Sequence, residues 1–188
     1  MTKIIGILNL TLDSFSDGGM YYDLESAKKH ISEMITQGAD IIDIGAESTR
    51  SGFSDVSADT QINTLAPIIE FINKNHDIKI SIDTRSSEVI NAFSSQNILF
   101  VNDVSSGFHD MNMLKTVSHL KCNYIMTHMP AEHQKGLNKK YDNVLDELNI
   151  FFNERIKSCI DQGIDKEKII IDPGIGFGKS GDDNIKIL

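Results

Sequence analysis

Short apolar runs alternate with longer stretches whose apolar residues recur every three or four positions, and this alternation repeats six times along the chain. In the first run, residues 4–9, Ile4, Ile5, Ile7 and Leu8 are interrupted only by Gly6, the continuous pattern of a parallel strand covered on both faces. A helical pattern follows, with Leu24, Ala27, Ile31, Met34 and Ile35 on one side, Asp23 placed to cap it and Gly38 placed to end it. Five further strands are predicted at residues 41–44, 78–82, 99–101, 123–126 and 169–171. Between them lie a long helix from about Ala58, which Pro67 is expected to kink or break, a short one through Val89, Ile90 and Phe93, and another near residues 111–119. A polar loop then leads to a helix capped by Asp142, with Val144, Leu145, Leu148, Phe152, Ile156 and Cys159 inward, that stops near Gly163.

Six strand-helix units in series call for a parallel sheet, because parallel strands need helical crossovers. Polar residues stand at the carboxyl ends of all six strands: Asn9, the group Glu47, Ser48, Thr49 and Arg50, then Asp83, Asn102, Thr127 with His128, and Asp172. A doubly wound sheet gathers ligand groups at one switch point, whereas a barrel converges every strand end on one mouth, so the pattern predicts an α/β TIM barrel. A (β/α)8 barrel typically takes about 250 residues. Residues 1–188 are therefore expected to form one domain holding six of the eight units, ending inside the sixth helix before strands seven and eight.

With 40% hydrophobic residues the chain can bury one sizeable core. Its 18 basic and 27 acidic residues give a net charge of -9, and no Lys/Arg cluster is long enough to follow a phosphate backbone. Nucleic acid and anionic membrane are thus not expected as partners. No apolar run reaches transmembrane length and no signal peptide opens the chain, which points to a cytoplasmic protein. Cys122 and Cys159 show no ligand spacing and read as reduced structural thiols.

Four blocks carry chemistry: ILNLTLDSFSDGG after the first strand, DIGAESTRSG at the second, ISIDTRSSEV followed by VNDVSSG at the third and fourth, and IDPGIGFGKS at the sixth. In this order, at the ends of these strands, they resemble dihydropteroate synthase, a folate-biosynthesis enzyme with a pterin-binding TIM barrel. The resemblance implies a transferase that joins p-aminobenzoate to 6-hydroxymethyl-7,8-dihydropterin diphosphate, releasing diphosphate. It also implies a homodimer for the complete protein and sulfonamides as mimics of p-aminobenzoate.

A pterin edge of ring nitrogens, amino group and carbonyl suits a few fixed side chains of opposite hydrogen-bonding sense. Asp172 can accept from two adjacent donors, Asn102 offers both senses, and Asp83 accepts a further ring N–H. For each, taken alone, the plain alternative is a cap on the following helix. Matched to the family, Asn9 is the magnesium position, holding Mg2+ only with substrate oxygens and waters completing the octahedron. Asn9, Arg50 and Asp83 are then the catalytic set, Arg50 facing an anion or the loop carboxylate Asp17. Thr49, Ser51 and Phe177 are further substrate contacts, and Phe15 packs on the p-aminobenzoate ring. Since the arylamine is already nucleophilic and the family's diphosphate leaves first, no nucleophile-base pair is needed. His128 and His133 suggest a metal pair on paper, but satisfied loop or core histidines are the better expectation.

Leu12 and Ser51 stand where the family usually has proline, so both loops lose a fixed φ and should bind p-aminobenzoate more weakly. The family's later SRK and R-x-H segments, on strands seven and eight, are not in these residues. Two alternatives stay open: a pterin-binding methyltransferase, disfavoured by the first two loops, and an inactive pterin-binding fragment without the Lys and Arg/His segments.

Overall fold

The computed structural model describes residues 2–10, 20–96 and 98–188, the side chains of residues 20–23 excepted. The expectations for Leu12, Phe15 and Asp17 lie outside the described residues. The elements run β1 (Ile5–Asn9), α1 (Met20–Thr36), β2 (Ile41–Gly45), α2 (Ala58–Asn75), β3 (Lys79–Asp83), α3 (Ser87–Ala92), β4 (Ile98–Asp103), α4 (Met113–Leu120), β5 (Asn123–Thr127), α5 (Ala131–Gln134), α6 (Val144–Asp161), β6 (Ile169–Asp172) and α7 (Gly181–Ile187). The six strands form one parallel sheet in the order β1-β2-β3-β4-β5-β6. An order that never reverses has no switch point, so this is barrel winding and not a doubly wound sheet.

Strand alternation separates two faces. Ile42, Ile44, Ile80 and Ile82 are fully buried on the outer face, in one core with Ile31 of α1 and Leu65, Ile68, Ile69 and Ile72 of α2. In β1 the outer residue Gly6 lets α1 come close, since a Cβ there would lie 2.8 Å from the Met34 sulfur. The opposite parity faces inward, and register aligns Asn9, Gly45, Asp83 and Asn102 as one row across four strands. β1 and β6 each have a strand neighbour on one side, leaving Ile7 61% and Ile171 51% exposed.

Several local expectations need correction, among them Leu145, expected inward on α6 but 44% exposed. Pro67 does not break α2, which runs continuously from Ala58 to Asn75 with Gln61 and Leu65 buried before it and Ile68, Ile69 and Ile72 after it. α1 begins at Met20, so Asp23 lies inside it. Asn143, not Asp142, caps α6, its side chain accepting from the Leu145 amide at 3.1 Å. Cys122 and Cys159 are free and buried, as expected.

The turn after β4 is tied down by Asp103, fully buried at the strand end. Its carboxylate accepts from the Ser105 amide (2.8 Å), the Ser105 hydroxyl (2.6 Å), the Gly107 amide (2.7 Å) and the Tyr124 hydroxyl (2.8 Å). These bonds hold Ser106 and Gly107 at φ of 53° and 78°. Burial pushes the Asp103 carboxyl up, and the Ser105 and Tyr124 donors pull it back. Tyr124→Phe should lower stability by about 1.5–3 kcal/mol, the worth of a hydrogen bond to a charged group, read as a lower urea midpoint with unchanged slope.

Candidate active site at the carboxyl ends of the strands

The inner face of β2, β3 and β4 carries Asp43, Ser81, Asp83 and Asn102 beside Ile41 and Phe100. Asp43, 5% exposed in the middle of the β2 sequence IIDIG, accepts from the Asn102 amide at 3.0 Å. Its other oxygen Oδ1, the Ser81 hydroxyl and Asn102 Oδ1 are buried with no hydrogen-bond partner among the described residues. Ser81 is the direct neighbour of Asp43 across the strands and its hydroxyl lowers the Asp43 pKa, whereas Asn102 Oδ1 has no such partner and is free to accept from a ligand. Asp83 closes this wall, and Gly45 leaves it room, since a Cβ there would lie 3.3 Å from Asp83 Oδ2. Burial first, then the carboxylates of Asp43, Asp103 and Glu47, push Asp83 well above the usual carboxylate range, with Arg85 opposing. Burial raises Asp43 as well, countered in part by the neighbouring Ser81 hydroxyl first and then by the Asn102 amide.

Across the mouth, Asp172 ends β6. Its Oδ1 accepts from the Gly174 amide at 2.8 Å and its Oδ2 from the Thr127 hydroxyl at 3.3 Å. The loop that follows is pressed against β5: at Gly174, with φ of +68°, a Cβ would fall 2.4 Å from the His128 carbonyl oxygen. Lys179, 4% exposed, fastens this loop by donating to the carbonyls of His128 (3.0 Å), Gly174 (2.9 Å) and Phe177 (3.2 Å). Burial draws its pKa down to about 8. Burial, aided by the Lys179 charge, draws His128 down to about 4, so this imidazole is neutral at pH 7.

The loop after β2 is held from below by Arg85. Its guanidinium donates to Glu47 and Asp55, both at 2.8 Å, and lies 4.7 Å over the Phe53 ring. Above this anchor Thr49 is half-buried, and Arg50 and Ser51 are exposed. The Ser51 hydroxyl donates to the His133 carbonyl at 3.1 Å, and the His133 ring meets the Thr49 carbonyl at 2.9 Å. The His133 ring also stacks on Phe177, with centroids 4.7 Å apart.

Asp83, Asn102 and Asp172 therefore share the inner mouth, with Asn9 exposed at the end of β1 in register with Gly45. None of the three caps the next helix: α3, α4 and α7 have Ser86, Asn112 and Ser180 at that position. Thr49 and Phe177 are joined through His133. His128 and His133 are buried, and among the described residues no group of three or more His, Cys, Asp or Glu could hold a metal. The sequence reading missed Asp43, Ser81, Lys179 and the linking role of His133. Only Asp43 carried a signal, as a lone charge inside an apolar strand.

Comparison with known proteins points to one family. A family model described as pterin binding enzyme matches residues 5–188. A dihydropteroate synthase of Streptococcus pyogenes serotype M6 is 40% identical over 185 residues, spanning 98% of this chain and 67% of that protein. The mitochondrial folate synthesis bifunctional protein of Pisum sativum is 40% identical over 193 residues, and the chain spans 38% of its length. The crystal structure of a Clostridium difficile dihydropteroate synthase in the presence of pteroic acid superposes with a TM-score of 0.90 at 38% identity, covering 99% of this chain and 69% of that one.

The raised Asp83 pKa has a testable sign. A carboxyl that binds its proton more tightly when folded lowers folding stability as pH climbs from the unfolded value of about 3.9 through the folded one, and the effect levels off beyond it. Asp83→Asn removes that slope. Its stability relative to the unmodified chain should rise between pH 4.5 and 8, measured by urea unfolding across that range.

Proposed function

The chain belongs to the pterin binding enzyme family, and within it we propose that it acts as a dihydropteroate synthase. It would join p-aminobenzoate to 6-hydroxymethyl-7,8-dihydropterin diphosphate. The observation that carries this reading is the buried polar wall of Asp43, Ser81 and Asn102 on β2, β3 and β4, with Asp83 on the same face and Asn102 Oδ1 unpaired among the described residues. A flat heterocycle with donors and acceptors on its edge would satisfy that wall. Because the Asn102 amide is engaged with Asp43, its Oδ1 is left to accept from the ligand. Asp172 keeps free lone pairs on both oxygens for a bidentate pair, and the Asp83 carboxylate would accept a further ring N–H.

In the reaction the bond from the pterin methylene carbon to diphosphate breaks, the arylamine nitrogen bonds to that carbon, and one amine proton is lost. The protein's part is positioning and stabilisation of the leaving anion. Arg50 would face that anion. Asn9 offers one amide oxygen, which suits Mg2+ only with diphosphate oxygens and waters as the other ligands; when bound, the ion neutralises charge on the leaving group. Thr49, Ser51 and Phe177, with Phe15 and Asp17 of the first loop, would surround p-aminobenzoate.

The same proposal takes residues 1–188 as six units of a single eight-unit barrel domain. The exposed β1 and β6 faces are what two further strands would cover. The homodimer and a cytoplasmic location belong to it too. Among the described residues no helix is long and apolar enough to cross a membrane, and sedimentation velocity would read the oligomeric state.

Asp172→Asn tests the pterin assignment. The Asn carbonyl can still accept from Gly174 while the Thr127 hydroxyl turns to accept from the new amide, so the fold should survive. The ligand loses one acceptor and meets a donor instead. Calorimetry with a pterin should show binding weakened about tenfold or more, the worth of a charged hydrogen bond; unchanged affinity would remove Asp172 from the pocket. The metal assignment is read separately: chelation should weaken the pterin diphosphate and leave a pterin without diphosphate unaffected.

A further inference from the structure

We propose that His133 is a positioning residue that latches the loop after β2 to the loop after β6, and that on the synthase reading this latch sets the affinity for p-aminobenzoate. Three contacts meet at this residue, from segments more than forty positions away on either side. The Thr49 carbonyl can only accept, so the His133 Nε2, 2.9 Å away, carries the proton, in the neutral ring or the cation alike. In return the Ser51 hydroxyl donates to the His133 carbonyl at 3.1 Å. The two bonds form a reciprocal pair, side chain to backbone in each direction. The far face of the imidazole stacks on Phe177, with the rings inclined by 26°.

The packing makes this a built contact. His133 is 7% exposed. The loop after β6 closes on α5 at Gly178, where φ is +58° and a Cβ would lie 2.9 Å from Pro130 Cγ and 3.3 Å from the His133 amide nitrogen. α5 is thus held between the two loops that carry Thr49 and Phe177. The latch also changes the expectation for Ser51. A serine there leaves φ free, but its hydroxyl ties the loop to α5, and Ser51→Pro would fix φ while removing that tie.

Two substitutions at residue 133 separate its contacts. His133→Phe keeps a ring to stack on Phe177 and loses the donor to Thr49. His133→Gln keeps an N–H donor at the same reach and loses the stack. Amide hydrogen exchange on the full chain should speed up about three- to tenfold at residues 48–53 in His133→Phe, as expected for the loss of one hydrogen bond. In His133→Gln those residues should exchange as in the unmodified chain, and residues 175–178 should exchange faster. Ser51→Ala, at an exposed position, should loosen residues 48–53 without touching the ring. Unchanged exchange at residues 48–53 in both His133→Phe and Ser51→Ala would overturn the latch. Titration with p-aminobenzoate, in the presence of a pterin, diphosphate and Mg2+, should show a loss matching the exchange in His133→Phe, with pterin affinity unchanged. If exchange responds as stated but no form binds p-aminobenzoate, the latch stands and the synthase reading falls. If the unmodified chain binds it and His133→Phe binds it equally well, the reading stands and the latch does not set affinity.

Discussion

The strand ends depend on one hydrogen bond, from the Asn102 amide to the buried Asp43 carboxylate at 3.0 Å. A carboxylate in the wall of a barrel is costly unless it is paired, and here the groups that offset its burial are neutral, the Ser81 hydroxyl and the Asn102 amide. The bond from the amide orients the Asn102 side chain, so that its carbonyl oxygen, and not its amide, is the group left facing the mouth. The Asp43 charge is also among the causes that raise Asp83. The chemistry at the mouth is thus set two residues deeper than the motif residues themselves. The ligand-free fold carries the cost, as is common where a site is pre-organised for a ligand.

The loops around the mouth are secured by a different kind of buried polar group, each fully engaged with backbone or counter-charge. Arg85 holds the loop after β2 through Glu47 and Asp55, Asp103 ties the turn after β4, and Lys179 gathers three carbonyls of the β5 and β6 ends. All three lie beneath or behind the loops they hold. Removing one partner from such a group leaves a buried charge uncompensated, which costs more than a surface ion pair contributes. Loops fixed in this way can present exposed residues such as Arg50 without those residues having to stabilise anything.

The fold was legible because its signal is repetitive: six apolar runs alternating with helical faces define winding and strand ends whatever the details of any one unit. The motif residues were legible because Asp83, Asn102 and Asp172 stand at those ends. What stayed hidden depends on contacts between distant segments. The Pro67 expectation weighed a local rule without the burial of Leu65 and Ile68, which outweighs it. The link from His133 to Ser51 spans 82 positions, and nothing in either segment's pattern announces it. Lys179 reads as a solvated residue in a glycine-rich loop until that loop's close approach to His128 is known.

Orphaned polar atoms are not confined to the mouth. His128 Nδ1, the Tyr141 hydroxyl and Arg155 Nε are also buried without partners among the described residues. Their surroundings differ. His128 and Tyr141 lie near each other beneath α6, His128 edge-on to the Phe151 ring at 4.8 Å, and Arg155 lies 4.2 Å over the Phe108 ring. Aromatic faces can take up part of what a missing acceptor would give a cation, and a neutral imidazole against apolar rings loses only one hydrogen bond. At the mouth, Asp43, Ser81 and Asn102 occupy the inner face of three neighbouring strands, the face that also carries Asp83. It is the convergence of unsatisfied groups of defined sense, and not their number, that separates a recognition surface from the imperfect packing every core contains.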